Sequence, residues 1–202
     1  MRETVMDEDE AKALREYVDQ LRRFQGVRST KKLHRNRDEY DDVERTLTAA
    51  KIPFANLKHR GDQDPPDCEA MIEGVRTGIE VTELLHQRSF EKSIKAIKTR
   101  KGFLQYHDWS REDFLALLRA RIEEKDNPSD LKDGPYEKYF LVIWTGEMYL
   151  NREAIEGFLE GVSFRCSLIT DAFISLDYQP IPEDPYPAIR IPVVREGFSS
   201  IS

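Results

Sequence analysis

Apolar residues recur along the chain at two spacings, which predict helices alternating with short strands. Apolar positions three or four residues apart predict helices at 7–25, 38–50, 86–101, 110–125 and 151–159. Short apolar or alternating runs predict strands at 53–59, 68–73, 78–85, 139–145, 172–178 and 188–193. An early antiparallel hairpin, followed by helical connections into more buried strands, predicts an α/β fold with a mixed central β-sheet flanked by helices.

The hairpin formed by 68–73 and 78–85 contains the sharpest chemical signal. Gly74 and Gly78 are expected to bracket its turn, and the proline pair before Asp67 favours an extended approach to the first strand. Strand alternation places Glu80 on one face and Ile79 on the other. Closure of the hairpin would bring Asp67 and Glu80 together near its open end. Two carboxylates on one side form a site for Mg²⁺ or Mn²⁺.

The residues Pro66-Asp67 followed by Glu80-Val81-Thr82 resemble the motif of the PD-(D/E)xK nuclease superfamily. The resemblance covers residues 38–100 and implies a restriction-endonuclease-like core. It also implies metal-assisted phosphodiester hydrolysis, with Asp67 and Glu80 as metal ligands and the carbonyl of Val81 as a further ligand. Thr82 occupies the position of the family's lysine, and it can donate a hydrogen bond but brings no positive charge.

In that family a missing lysine is sometimes supplied by the following helix, and elsewhere its absence marks a protein that has lost catalysis. The resemblance therefore implies Lys95 as the replacement, with Lys92 as the second choice. The helix before the first core strand often contributes an acid, which implies Glu44, with Glu39 as a competitor. Either glutamate is equally compatible with a solvated surface position.

Basic residues are grouped in two segments. The run 22–37 contains seven lysines and arginines and no acid. The predicted helix 86–101 carries a ridge of lysines at every third position, namely Lys92, Lys95, Lys98 and Lys101. Both segments fit contacts with nucleic-acid phosphates, and both also fit solvated surface. Gln87 lies near the start of this helix, within reach of a substrate phosphate.

Composition narrows the class of protein. The length of 202 residues fits a single domain, 1–202, in which 1–37 forms a helical and basic N-terminal extension. The net charge of −7 argues against binding nucleic acid through the overall field. Only two cysteines are present, and neither has the spacing of a zinc ligand, so reduced thiols and a cytoplasmic location are expected. The sequence contains no P-loop, nucleophile-elbow or dinucleotide-binding motif and no membrane-spanning apolar run.

These patterns leave three hypotheses. The leading one is a metal-dependent nuclease, acting on DNA, for which a two-fold dimer would suit the cutting of both strands. The alternative is a nucleic-acid-binding or regulatory protein that has kept the nuclease fold and lost catalysis. The third is an α/β interaction protein whose acids belong to its surface.

Overall fold

A six-stranded mixed β-sheet forms the centre of the fold. The computed structural model describes residues 39–61, 65–89, 91–92, 107–127, 129, 131–147, 149–177 and 186–195. Its helices are α1 (Glu39–Ala49), α2 (Arg111–Lys125) and α3 (Arg152–Leu159). Its strands are β1 (Phe54–His59), β2 (Cys68–Ile72), β3 (Val75–Glu83), β4 (Lys138–Thr145), β5 (Phe164–Cys166), β6 (Asp171–Leu176), β7 (Ala188–Ile191) and β8 (Val193–Arg195).

The strand order in the large sheet is β1-β2-β3-β4-β6-β7. Strands β1, β2 and β3 pair antiparallel, β3, β4 and β6 pair parallel, and β7 returns antiparallel to β6. The α/β class and the mixed sheet are therefore confirmed. Parallel neighbours need a crossover connection, and α2 lies in the one between β3 and β4.

Helices cover the two faces of this sheet. Val43 and Leu47 of α1 pack in one core cluster with Ile79 of β3. Phe114 of α2 and Ile155 of α3 belong to the other cluster, which also contains Leu141 of β4 and residues of the small β5-β8 sheet. The apolar run of β4 is buried throughout its length after Lys138, because both of its faces are covered.

The hairpin turn is tighter than the sequence analysis expected. β2 and β3 are joined by Glu73 and Gly74 alone, and both have positive φ angles, of 54° and 80°. A two-residue turn of this kind matches the twist of the flanking strands. Gly78 is therefore not a turn residue, and it lies inside β3 opposite Glu69. The chain bends at residues 65–67 instead of approaching β2 extended, and the Pro65–Pro66 peptide bond is cis.

The predicted last strand, 188–193, is split in the structure. β7 ends at Ile191, Pro192 follows, and β8 begins at Val193 and pairs with β5 in the second sheet. Proline lacks the N–H that a strand position needs, which explains a break at this position. The carbonyl of Pro192 accepts a hydrogen bond from Phe164 N (2.8 Å) beside the β5-β8 pair.

Contacts divide the chain into two units, and every element above lies in the unit 38–86 with 107–202. The described residues of the other unit are 87–89 and 91–92, which are helical as predicted. The predicted helix 7–25, the basic run 22–37 and Lys95, Lys98 and Lys101 lie outside the described residues. The single-domain organisation stays a prediction. Among the described helices, none is long and apolar enough to cross a membrane.

Candidate functional site

Asp67 is held at the start of β2 by backbone groups from both neighbouring strands. The N–H of Val81 donates to Asp67 Oδ2 (2.6 Å), and Arg60 N donates to the Asp67 carbonyl (2.8 Å). The β2–β3 register pairs Cys68 with Ile79, so one further step places Asp67 opposite Glu80. Asp67 is 7% exposed and Glu80 4% exposed. This register, continued by one residue beyond β2, places the two acids at the open end of the hairpin.

Gly78 makes room for this arrangement. A methyl group at Gly78 would lie 3.0 Å from Pro66 Cγ and 3.0 Å from Tyr139 Cδ2. The φ angle of Gly78 is not positive, so its backbone conformation does not require glycine. Glycine is required here because a side chain would have no space. The proline of the motif and the aromatic ring beside Glu80 can pack over β3 because this position has no side chain.

Glu80 contacts a lysine that the sequence analysis did not single out. Lys125 Nζ lies 2.6 Å from Glu80 Oε1, and the hydroxyl of Tyr139 lies 3.2 Å from Glu80 Oε2. Burial lowers the pKa of Lys125, but the hydrogen bond and charge of Glu80, with the charge of Asp67, outweigh it and raise that pKa above its usual value. Lys125 is therefore a protonated donor beside both acids.

A sequence signal for Lys125 exists. Phe114, Leu118 and Ile122 form the buried stripe of α2 at spacings of four, and Lys125 lies three residues after Ile122 on the same side. A lysine that continues the core-facing stripe of a helix needs an acidic partner. Its side chain is 27% exposed, which is consistent with an aliphatic stem packed along the fold and a paired ammonium group.

Mg²⁺ fits the donor set of Asp67 and Glu80, since this ion commonly binds one or two carboxylates and keeps several waters or substrate oxygens. Among the described residues there is no group of three or more histidine, cysteine or acidic side chains that could hold a metal. The N–H of Val81 points towards Asp67. In a β-strand, the N–H and the C=O of any one residue point towards the same neighbouring strand. The Val81 carbonyl thus faces the Asp67 side, although its role as a ligand stays a prediction. Lys125 occupies Oε1 of Glu80, so an ion would compete with it.

The other predicted residues are distributed as follows. Thr82 is partly buried on β3, two residues from Glu80, and pairs with Ile143. Glu44 is exposed on α1, which packs on the opposite face of the sheet from Lys125, so the structure does not bring Glu44 to the acids. Glu39, its competitor, pairs with His59 Nε2 (2.7 Å).

Gln87 and Lys92 belong to the other unit. Both are exposed and helical, and Gln87 Nε2 donates to Glu91 Oε1 (2.8 Å).

A second polar cluster lies beside Asp67. Glu69, two residues further along β2, pairs with Arg76 (2.7 Å) and with Lys58 (2.9 Å). The Arg60 side chain is 2% exposed and lies 3.7 Å from the same carboxylate, with Tyr136 as a further hydrogen-bond partner. The hydrogen bond from Arg76 lowers the pKa of Glu69 to about 2, against the opposing effect of burial. This cluster ties β1, β2 and β3 together beside Asp67, with three basic side chains sharing the Glu69 carboxylate.

Comparison of the chain with protein-family models, with curated proteins and with solved structures finds no match in any of the three.

Proposed function

We propose that this chain is a divalent-metal-dependent nuclease that hydrolyses phosphodiester bonds of DNA. The observation that carries the proposal is the 2.6 Å contact between Lys125 and Glu80, next to Asp67. The motif Pro66-Asp67 with Glu80-Val81-Thr82 lacks its lysine, and α2 supplies a lysine at the same acid. Its origin in a helix that follows the motif supports the kind of relocation that the resemblance implies, although the lysine differs from the predicted Lys95, which lies outside the described residues.

The order of elements also supports a restriction-endonuclease-like core. α1 precedes the antiparallel strands β1 to β3, α2 forms part of the crossover, and β4 is parallel to β3. Asp67 lies directly before β2 and Glu80 lies on β3, an arrangement that supports such a core.

The roles of the residues follow from their environment. A divalent ion bound by Asp67 and Glu80 would lower the pKa of a bound water and stabilise charge on the phosphate. Lys125 has a raised pKa, so it acts as a cation and hydrogen-bond donor and not as a general base. It can orient the attacking hydroxide and neutralise charge on the phosphate oxygens. Tyr139 holds the second oxygen of Glu80, and the Val81 N–H holds Asp67.

The decisive experiment removes the charge of Lys125 and keeps its stem. Lys125→Met should lower the rate of DNA cleavage with Mg²⁺ or Mn²⁺ by about a hundredfold or more. Lys138→Met is the matched control, since the Lys138 side chain is also 27% exposed and is also paired, with Glu73. In the Lys125→Met background, Thr82→Lys should restore part of the rate. Native cleavage by Lys125→Met, or an equal loss with Lys138→Met, would contradict the assignment.

A second candidate function is nucleic-acid binding without cleavage. The same ion pair favours it, because Lys125 neutralises the buried Glu80 without any metal. The two candidates differ in a measurement on the native chain with single- and double-stranded DNA and RNA. Binding of the nucleic acid without cleavage in either metal would support this second function. If the chain is instead a nuclease that cuts both strands, we expect a two-fold dimer on duplex DNA, which sedimentation of the complex would measure.

A further inference from the structure

The residue after Lys125 ties the end of α2 to a distant loop. Asp126 Oδ2 accepts hydrogen bonds from the N–H (2.6 Å) and the hydroxyl (3.0 Å) of Ser167. Its Oδ1 accepts from the N–H groups of Leu168 (2.8 Å) and Ile169 (2.9 Å). Successive amides that converge on one carboxylate form a strong anion-binding nest, and charge-assisted bonds of this kind are short.

The same loop, residues 167–170, also holds Tyr139. Thr170 N donates to the Tyr139 carbonyl (2.8 Å), and Tyr139 N donates to Thr170 Oγ1 (3.2 Å). The side chains of Lys125 and Tyr139 are each hydrogen-bonded to one oxygen of Glu80. One loop between β5 and β6 is thus bonded to the backbone of Tyr139 and to the neighbour of Lys125.

We infer that Asp126 is a positioning residue, which holds Lys125 against Glu80 by anchoring the last turn of α2 to the loop 167–170. Lys125 is the final residue of the helix, where carbonyl groups lack partners within the helix and the last turn tends to fray. The Asp126 N–H donates to Ile122 O (2.9 Å) and caps this end of the helix, while the Asp126 carboxylate holds the loop. The catalytic consequence of this inference rests on the proposed nuclease function, whereas the positioning itself does not.

The positioning can be measured without any cleavage. In native protein, acylation by a small anhydride at fixed pH reports the neutral fraction of each lysine, because the neutral amine is the reactive form. Mass spectrometry would give the ratio of Lys125 to Lys138 labelling, and the two side chains have equal exposure of 27%. Glu80→Gln, which removes the partner directly, sets the value for an unpaired Lys125. A tenfold rise in labelling corresponds to a fall of about one in its pKa.

Asp126→Asn keeps the shape of the side chain but loses the charge and half of the acceptor atoms. We expect it to raise the labelling of Lys125 selectively, towards the Glu80→Gln value, and to leave Lys138 unchanged. Unchanged Lys125 labelling in a folded Asp126→Asn protein would overturn the inference. If both lysines react faster, folding has been lost, and Ser167→Ala is tested in place of Asp126→Asn, since it removes the bonds of the hydroxyl and keeps the N–H bond. A smaller selective rise is then expected, and no rise would again overturn the inference.

Cleavage provides the second readout. If the nuclease proposal holds, Asp126→Asn should lower kcat in parallel with the labelling change while the affinity for Mn²⁺ does not fall. If the native chain cuts no nucleic acid, the nuclease proposal fails, and the labelling ratio still decides the role of Asp126.

Discussion

At the scale of single residues, Gly78 tests how closely the site is packed. Gly78→Ala would place a methyl group 3.0 Å from both Pro66 and Tyr139. Because the rigid rings of Pro66 and Tyr139 would have to move, we expect the free energy of unfolding to fall by about 1–3 kcal/mol. Gly157→Ala is the control, since that helical glycine has nothing within 4 Å and the change should stabilise the protein by roughly 0.5–1 kcal/mol. Urea unfolding of both variants measures the difference, and a Gly78→Ala protein as stable as the native one would contradict it.

Glu69 gives a prediction for pH at the same scale. Its pKa in the folded protein is about 2, below the ordinary value of 4.5, chiefly because of Arg76. A carboxyl with a lowered folded pKa contributes stability that is complete above about 4.5 and is lost as the pH falls towards about 2. Glu69→Gln should therefore have a lower free energy of unfolding than the native protein at neutral pH. This gap in free energy should close as the pH falls through this range.

Denaturant titrations at several pH values would measure that gap. Glu73→Gln is the comparison, because its carboxylate pairs with Lys138 but is 69% exposed and more strongly screened. We expect a smaller gap for Glu73→Gln. A gap for Glu69→Gln that stays constant with pH would show that the effect is one of packing.

At the scale of elements, the hairpin of β2 and β3 brings two acids together, and this predicts a response to metal. Mn²⁺ should raise the melting temperature of the native chain, since an ion that binds the folded site stabilises it and relieves the repulsion of Asp67 and Glu80. Lys125→Met should enlarge this shift, because Lys125 competes for Glu80 Oε1. Asp67→Asn combined with Glu80→Gln should remove it. Scanning calorimetry would measure all three, and an equal shift in the double variant would exclude this metal site.

Elements were predictable where local chemistry decides them. The α2 helix begins after Ser110, whose side chain accepts from Asp113 N, and α3 begins after Asn151, which accepts from Ala154 N. The hairpin turn was misplaced because Gly78 was interpreted by its backbone freedom, whereas its role depends on packing against Pro66 and Tyr139. The short strand β5 was missed, since three residues carry no periodicity and its partner β8 follows far along the chain.

At the scale of the whole molecule, the position of the two acids follows from the sequence more directly than the contacts of their partners do. Asp67 and Glu80 are close in sequence and joined by one hairpin, so strand alternation is sufficient to place them together. Lys125 and Tyr139 reach Glu80 from 45 and 59 residues away. Only the crossover through α2 and the parallel register of β4 bring them there, and a local pattern contains neither.

The overall charge leads to the last prediction. A chain with a net charge of −7 must bind DNA through local basic surface if it binds DNA at all. If the lysine ridge supplies that surface, affinity should fall steeply with salt, and each lost phosphate contact should flatten the slope by about one. Replacing Lys92, Lys98 and Lys101 with glutamine should thus reduce the slope, measured by fluorescence anisotropy over a range of salt. Lys51→Gln, an exposed lysine after α1, is the control and should leave the slope unchanged. If the triple variant keeps the slope of the native protein, these three lysines contact no phosphate, because each phosphate contact adds about the same amount to the salt dependence. The phosphates would then bind elsewhere on the protein.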